Sequence, residues 1–256
     1  MGLSKNRIKY LNALKIKKYR QQYRQFIMEG DKMVADLLRE GTVPVRQLIA
    51  TEDWLAETNV SLLRLVEEVV IADRRELERI SSLETPPPAI AVLDLHDEPP
   101  DTGVLSEMLS LGVDTIQDPG NLGTIIRTAD WFGITHVVCS DGCADCYNPK
   151  SIQASMGAVL RVHVSYCNME ELIPELFSRG NFPVIGTFMD GNPVYTVSRP
   201  DRGMLLFGNE SRGISNKLGK FVTQRITIPP GEGRQHVESL NVASAVAVVC
   251  SWLMRP

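Results

Sequence analysis

The sequence predicts an α/β protein with two parts, a small α/β domain followed by a larger one with a mostly parallel sheet. Three observations carry this reading. Apolar runs of strand length alternate with segments of helical period along nearly the whole chain. An acidic, proline-containing stretch, Asp94 to Gly103 with Pro99-Pro100, interrupts the alternation and reads as an interdomain linker. Near the end, two apolar strands run into loops beside a final apolar helix. The boundaries expected are a first domain over 1–93, a linker over 94–109 and a second domain over 110–256.

In order, residues 5–25 read as helical, with Ile8, Leu11, Leu14 and Ile16 as the apolar positions. Phe26-Ile27-Met28 is a short strand turned by Glu29-Gly30. Asp31 then caps a helix carrying Met33, Val34, Leu37 and Leu38, which Gly41 stops. Val45–Ala50 is a strand, Thr51 caps a short helix through Leu55, Val69–Ile71 is a strand, and Asp73 opens a helix through Ile80. Ala89–Leu93 is the last strand of the first domain. Beyond the linker, Leu105–Leu111 reads as helix and Val113–Gln117 as strand. Asp118 to Gly123 reads as a turn-rich loop, with a helix from Thr124 to Phe132. Val137–Ser140, Val159–Val164 and Val184–Phe188 read as strands, separated by helices at Pro149–Gly157 and Met169–Ser178. Met204–Phe207 and Ile226–Ile228 are the two late strands, and the final helix is opened by Ser239-Leu240-Asn241.

The net charge of −4 alone argues against a nucleic-acid partner, but its distribution argues for one. Residues 1–25 hold eight basic side chains (Lys5, Arg7, Lys9, Lys15, Lys17, Lys18, Arg20 and Arg24) and no acid, so the remainder carries −12. Tyr10, Tyr19 and Tyr23 interleave with them, and that pairing of cations with stacking rings suits RNA. A solvated basic helix packed by its tyrosines is the plainer alternative, and a targeting presequence a third. Five cysteines in 256 residues do not form a disulfide framework. No apolar run reaches the length of a membrane span, so a cytoplasmic protein is expected.

Open α/β sheets bind ligands outside the carboxyl ends of their strands, so the loops after the apolar runs hold the candidate site. In the Asp118–Arg127 stretch, Arg127 could grip a phosphate or orient a hydroxyl; a surface pair with Asp130 is the alternative. In Gly208-Asn209-Glu210, Glu210 could act as a base or acceptor, or simply cap the segment after it. Ser239 and Asn241 are capping residues at a helix start whose amides could meet a polar ligand. His136, Cys139, Cys143 and Cys146 cluster in sequence, but a strand would not converge their side chains on a metal, and none is expected. A dinucleotide fingerprint and a phosphate-binding P-loop are both lacking, which disfavours an oxidoreductase or a nucleotide hydrolase.

Taken together, Asp118 to Ala129, Leu206 to Gly213, and Ile228-Pro229-Pro230 with Glu238-Ser239-Leu240-Asn241-Val242-Ala243 resemble the three signature motifs of the SpoU (TrmH) family of the SPOUT superfamily. These are S-adenosylmethionine-dependent RNA ribose 2'-O-methyltransferases. Phe26 to Gly30, with Val34 and Leu37, resembles the family's ribosomal-protein-like substrate-binding domain. The resemblance implies a deep trefoil knot in the C-terminal domain and a homodimer, which the small residues Ala243, Ser244, Ala245 and Ala247 suit. It implies that S-adenosylmethionine is held by Gly208, Ile228 and Leu240, with Leu206, Pro230 and Ser239 as neighbours. Asn121, Arg127, Glu210, Ser239 and Asn241 match the family's polar active-site positions. Ribosomal RNA is the substrate expected, with transfer RNA second and a non-catalytic assembly protein as the rival from another class. The loop from Gly231 to Val237 departs from the family by extra length and carries Glu232, Arg234 and His236, of which His236 is a further candidate proton acceptor.

Overall fold

The computed structural model describes residues 2–231, 233 and 239–254. Glu232, Arg234, His236 and Glu238 therefore lie outside the described residues. By its contacts the chain divides into two compact units, residues 1–96 with 147–160, and residues 97–146 with 161–256.

The first unit opens with two helices, α1 (Lys5–Ala13) and α2 (Lys17–Tyr23), where one long helix was expected. The break falls at Leu14–Ile16, and α2 ends on Arg24 in the left-handed region. Next come β1 (Gln25–Glu29), α3 (Asp31–Glu40), β2 (Val45–Ala50), α4 (Glu52–Glu57), β3 (Val66–Ile71), α5 (Arg74–Ile80) and β4 (Ala89–Asp94). Gly30, at φ 139°, is the N-cap of α3, so Asp31 is its first residue rather than its cap. Gly41 closes α3 in the left-handed conformation expected of a helix-ending glycine. A capping box between Asp73 and Glu76 starts α5. The sheet has the order β1-β4-β2-β3; only β2 and β3 run parallel. Leu11, Leu14, Ile27, Ile49, Leu77, Ile80 and Ile90 fill the core between this sheet and the helices.

The second unit contains α6 (Thr102–Leu105), β5 (Leu109–Val113), α7 (Pro119–Trp131) and β6 (His136–Ser140). The chain then places α8 (Pro149–Ser155) in the first unit, packed on β1. It returns with β7 (His163–Cys167), α9 (Met169–Ser178), β8 (Val184–Pro193), β9 (Gly203–Phe207), the short α10 (Asn216–Gly219), β10 (Gln224–Thr227) and α11 (Val242–Leu253). The six strands are all parallel in the order β10-β8-β9-β5-β6-β7. The mostly parallel sheet read from the alternation is thus realised as a wholly parallel one.

Two expectations near the second unit's start are corrected. Leu105–Leu111 is not a helix and Val113–Gln117 is not a strand: α6 ends at Leu105 and β5 occupies Leu109–Val113. Every residue of β5 is buried, because a central parallel strand has both faces covered and loses the alternation that marks a half-exposed one. Gly112 hides it further. A Cβ there would meet the Met204 sulfur at 2.5 Å, so the strand interior takes a residue of poor strand propensity. The strand read at Val159–Val164 is likewise shifted to β7, after a short 3-10 turn at Ala158–Leu160.

Candidate active site

The chain leaves β5 toward β6 and β7 on one side, then crosses to β8 and β9 on the other side of β5. The carboxyl ends of β5 and β9 therefore flank the point where strand order reverses, where such sheets form ligand crevices. Two loops leave this point, residues 114–118 and 208–215.

Within the stretch from Asp118 to Gly123, the residues from Pro119 on are helix, not loop. Asp118 is the N-cap of α7, and its carboxylate accepts the Asn121 N–H at 2.9 Å. Pro119 takes the first helical position, where its missing N–H costs nothing. Asn121 is thereby fixed in the first turn with its side chain unspent on capping. Its Nδ2 donates to Glu210 Oε1 at 2.7 Å, and its Oδ1 accepts from Asn241 Nδ2 at 3.0 Å. Asn241, not Ser239, is the N-cap of α11, and its Oδ1 accepts the N–H groups of Ala243 and Ser244. Three segments far apart in sequence thus meet in one hydrogen-bonded chain, Asn241–Asn121–Glu210. α11 packs along α7 and holds the two helix starts together.

Arg127 lies two turns along α7 and is exposed. Among the described residues it has no ion-pair or hydrogen-bonding partner. The alternative pair with Asp130 is not made, because Asp130 is held by Arg161 at 2.7 Å. Ser239 and Leu240 are exposed ahead of α11, Leu240 to 51% despite its apolar side chain. Arg127 and Ser239 thus stand outside the bonded chain that joins the other three candidates.

At the end of β9, Gly208 admits no side chain. A Cβ would fall 2.0 Å from the Gly213 carbonyl carbon and 2.0 Å from the Ile214 nitrogen. Its neighbour Leu206 is fully buried. The β10 ladder ends at Thr227, so Ile228, Pro229 and Pro230 continue past it, and the prolines bring carbonyls without competing N–H groups.

Sequence reasoning gave no role to three residues beside this site. Asp114 follows β5 directly and is 4% exposed. Its Oδ2 accepts the Ser215 N–H at 2.8 Å, and its Oδ1 accepts the hydroxyls of Thr115 at 2.8 Å and Ser140 at 3.3 Å. Thr115 sits at φ 61°, a left-handed conformation that costs a β-branched residue about 1–3 kcal/mol. Its carbonyl accepts from Asn209 Nδ2 at 2.7 Å. Cys143 closes the same loop from the other side, accepting the Ile116 N–H at 3.3 Å and donating to the Val113 carbonyl at 3.3 Å. Its thiol is brought down to about 7, chiefly by the hydrogen bond from the Cys139 thiol, against the opposing effect of burial. No group of three metal-binding side chains comes together among the described residues.

The basic start is divided by the first unit's fold. Lys5, Lys9, Lys17, Lys18 and Arg24 are exposed, and Tyr19 and Tyr23 stand partly exposed among them. Arg20 does not fit the expected RNA-binding set. It is 2% exposed and its guanidinium donates to the Leu14 carbonyl at 3.0 Å, where it ties α2 to the break after α1. Lys15 is half-buried and donates to the Ser81 carbonyl at 2.8 Å.

The profile of the SpoU rRNA Methylase family matches residues 108–251, which spans all three site segments. The chain belongs to the SpoU rRNA methylase family. An MRM3-like substrate binding domain matches residues 5–91. The chain is 30% identical over 247 residues to the 23S rRNA (guanosine(2553)-2'-O)-methyltransferase RlmP of Bacillus subtilis, covering 95% of this chain and 94% of that one. A solved structure from Porphyromonas gingivalis, assigned to the TrmH family of RNA methyltransferases, superposes with a TM-score of 0.87 at 40% identity over 100% of both chains. An AdoMet-bound rRNA methyltransferase from Sinorhizobium meliloti superposes with a TM-score of 0.81 at 27% identity, covering 98% of this chain and 95% of that one. No helix of this SpoU family member is long and apolar enough, among the described residues, to cross a membrane.

Proposed function

We propose that this SpoU family member transfers a methyl group from S-adenosylmethionine to a ribose 2'-hydroxyl of ribosomal RNA. The observation that carries the proposal is the Asn241–Asn121–Glu210 chain at the reversal point of the sheet, which gathers one residue from each of three motifs. The names of the relatives favour ribosomal over transfer RNA. A 2'-hydroxyl target selects RNA over DNA.

The strand ends fit the cofactor. The side-chain-free approach at Gly208 leaves backbone groups as the local surface, as an adenosyl group held by main-chain contacts requires. Ile228 and Pro230 offer carbonyls beyond the β10 ladder, and Leu240 offers a half-exposed apolar face, with Leu206 and Ser239 beside them. The bound cofactor supplies an electrophilic methyl on a sulfonium. The protein's task is alignment of the hydroxyl and control of its proton. Arg127 has its charge unspent, so it serves as the electrostatic partner of the developing alkoxide. A guanidinium is a poor base, which makes Glu210 the proton acceptor within the bonded chain. Asn121 and Asn241 orient that carboxylate.

The same reading assigns Lys5, Lys9, Lys17, Lys18 and Arg24 to RNA phosphates, with residues 1–93 as the substrate domain, 94–109 as linker and 110–256 as the methyltransferase domain. It includes a trefoil knot and a homodimer; for the homodimer, Trp131, exposed to 82% at the end of α7, offers an apolar contact surface. A cytoplasmic location belongs to the same reading. The test is incubation with methyl-labelled S-adenosylmethionine and unmodified ribosomal and transfer RNA pools. Label in the ribose of ribosomal RNA is expected; absence of both label and cofactor binding would overturn the reading in favour of a non-catalytic RNA-binding protein.

A further inference from the structure

We infer that Asp114 and Asn209 are positioning residues for methyl transfer, acting through the left-handed Thr115 as a clasp that holds Glu210 against Asn121. This rests on the methyl-transfer reading above. Glu210 lies on an exposed turn after β9, and its own bond to Asn121 is a single contact at 2.7 Å. Something must fix the turn before that contact can have a defined geometry. The neighbouring residue does so. Asn209 exchanges backbone hydrogen bonds with Gly213 at 3.0 and 2.9 Å, which closes the turn on itself. Its side-chain oxygen accepts the N–H groups of Ser211 at 3.0 Å and Arg212 at 3.2 Å. Its side-chain amide then donates outward, to the Thr115 carbonyl at 2.7 Å.

Thr115, whose carbonyl meets the turn, is at φ 61°. Three bonds hold it there: its hydroxyl on Asp114, its N–H on the Ser140 hydroxyl at 2.9 Å, and the Asn209 amide on its carbonyl. Asp114 makes the second tie to the same turn, through the Ser215 N–H at 2.8 Å. The loop that follows Asp114 leads within a few residues to Asp118 and Asn121, so one buried carboxylate and one amide connect both ends of the Asn121–Glu210 contact. Unfavourable backbone angles held by several partners cluster at functional sites.

The test has two arms. In the ligand-free protein, amide hydrogen exchange over residues 209–215 should quicken at least tenfold in Asn209→Ala while the melting temperature stays close to wild type. Unchanged exchange would overturn the clasp. In the kinetic arm, Asn209→Asp keeps the acceptor for Ser211 and Arg212 but turns an oxygen toward the Thr115 carbonyl. It should lower kcat at least tenfold, with the RNA KM and the S-adenosylmethionine affinity within twofold of wild type. In a Glu210→Gln background the same substitution should cost nothing further, because residues that act through one another are not additive. An equal loss in both backgrounds, or an unchanged kcat, would overturn the assignment. If Asn209→Asp does not fold, Asp114→Asn enters the same cycle with the same expectations. A wild-type protein that transfers no label would sink the functional reading, while the exchange arm still decides whether the clasp holds the turn.

Discussion

Asn121 donates to Glu210 at 2.7 Å across 89 positions of sequence. The contact joins the first turn of α7 to the turn after β9, and Asn241 completes it from the start of α11. An amide is suited to this middle place because it donates and accepts at once. Asn121→Asp would keep the acceptor for Asn241 but set a second carboxylate oxygen against Glu210. Its kcat should fall at least tenfold, about 1.4 kcal/mol of transition-state stabilisation, with little change in melting temperature because the side chain is only partly buried. An undiminished kcat would mean that the bonded chain is structural.

Arg127 offers the cleanest separation of chemistry from stability. It is exposed and has no partner among the described residues, so removing it takes nothing from the fold. Arg127→Ala should lose methyl transfer by two orders of magnitude or more, while S-adenosylmethionine binding, followed by calorimetry, and the melting temperature remain unchanged. Retained activity would remove Arg127 from the site.

Gly208→Ala should fail for a different reason. The new methyl would overlap the backbone of Gly213 and Ile214, at 2.0 Å from each, and neither is a side chain that can swing aside. Overpacking of this kind costs about 1–3 kcal/mol or more, and each kcal/mol lowers the melting temperature by about 2–4 °C in a protein of this size. Cofactor binding should weaken as well, since the same turn carries both. A variant with wild-type melting and cofactor affinity would contradict the close backbone approach.

The Cys143 thiol gives a pH prediction. Hydrogen bonds from Cys139, from the Ile116 N–H and from Ser140 stabilise its thiolate, so its pKa falls to about 7 from an ordinary 9.0. A pKa lower in the folded state than in the unfolded one contributes stability that is present above pH 9.0 and is lost as pH falls toward about 7. Alkylation by iodoacetamide should therefore reach half its maximal rate near pH 7 at Cys143. Cys139 and Cys250, whose thiols burial pushes up, should stay unreactive until the protein unfolds. Mass spectrometry of the labelled peptides distinguishes the sites.

The legible parts of this molecule are those where local pattern and tertiary role agree. β2 and α9 are amphipathic or bounded by clear caps, and they run over the residues the sequence indicates. β5 was illegible because burial of both faces erases its period, and Gly112 and Ser110 serve neighbours rather than propensity. The start of α7 was misread because Pro-Gly-Asn is turn chemistry unless an aspartate precedes it as a cap. At the site, Asn121, Glu210 and Asn241 could be named from motifs, but their convergence depends on strand order, which no local pattern carries. Asp114 and Thr115 lay inside the misread strand, so their role was out of reach. The available signal was Asp114 as the lone charge in the stretch from Leu109 to Gln117.

The division of the basic start can be tested by contrasting two kinds of substitution. Lys17→Glu with Lys18→Glu alters side chains that are exposed at the start of α2. If they meet phosphates, RNA affinity should fall, and the slope of log affinity against log salt should flatten by about 0.7–0.9 per contact removed. The melting temperature should not change. Arg20→Ala removes a buried guanidinium and leaves the Leu14 carbonyl without that donor, which costs about 1–3 kcal/mol. It should lower the melting temperature and leave the salt slope of the folded protein intact. Fluorescence anisotropy with a labelled ribosomal RNA fragment at several salt concentrations reads the first effect, and thermal unfolding the second. A flattened slope in Arg20→Ala, or an unaltered slope in the double lysine variant, would reverse the assignment of fold and ligand roles along this helix.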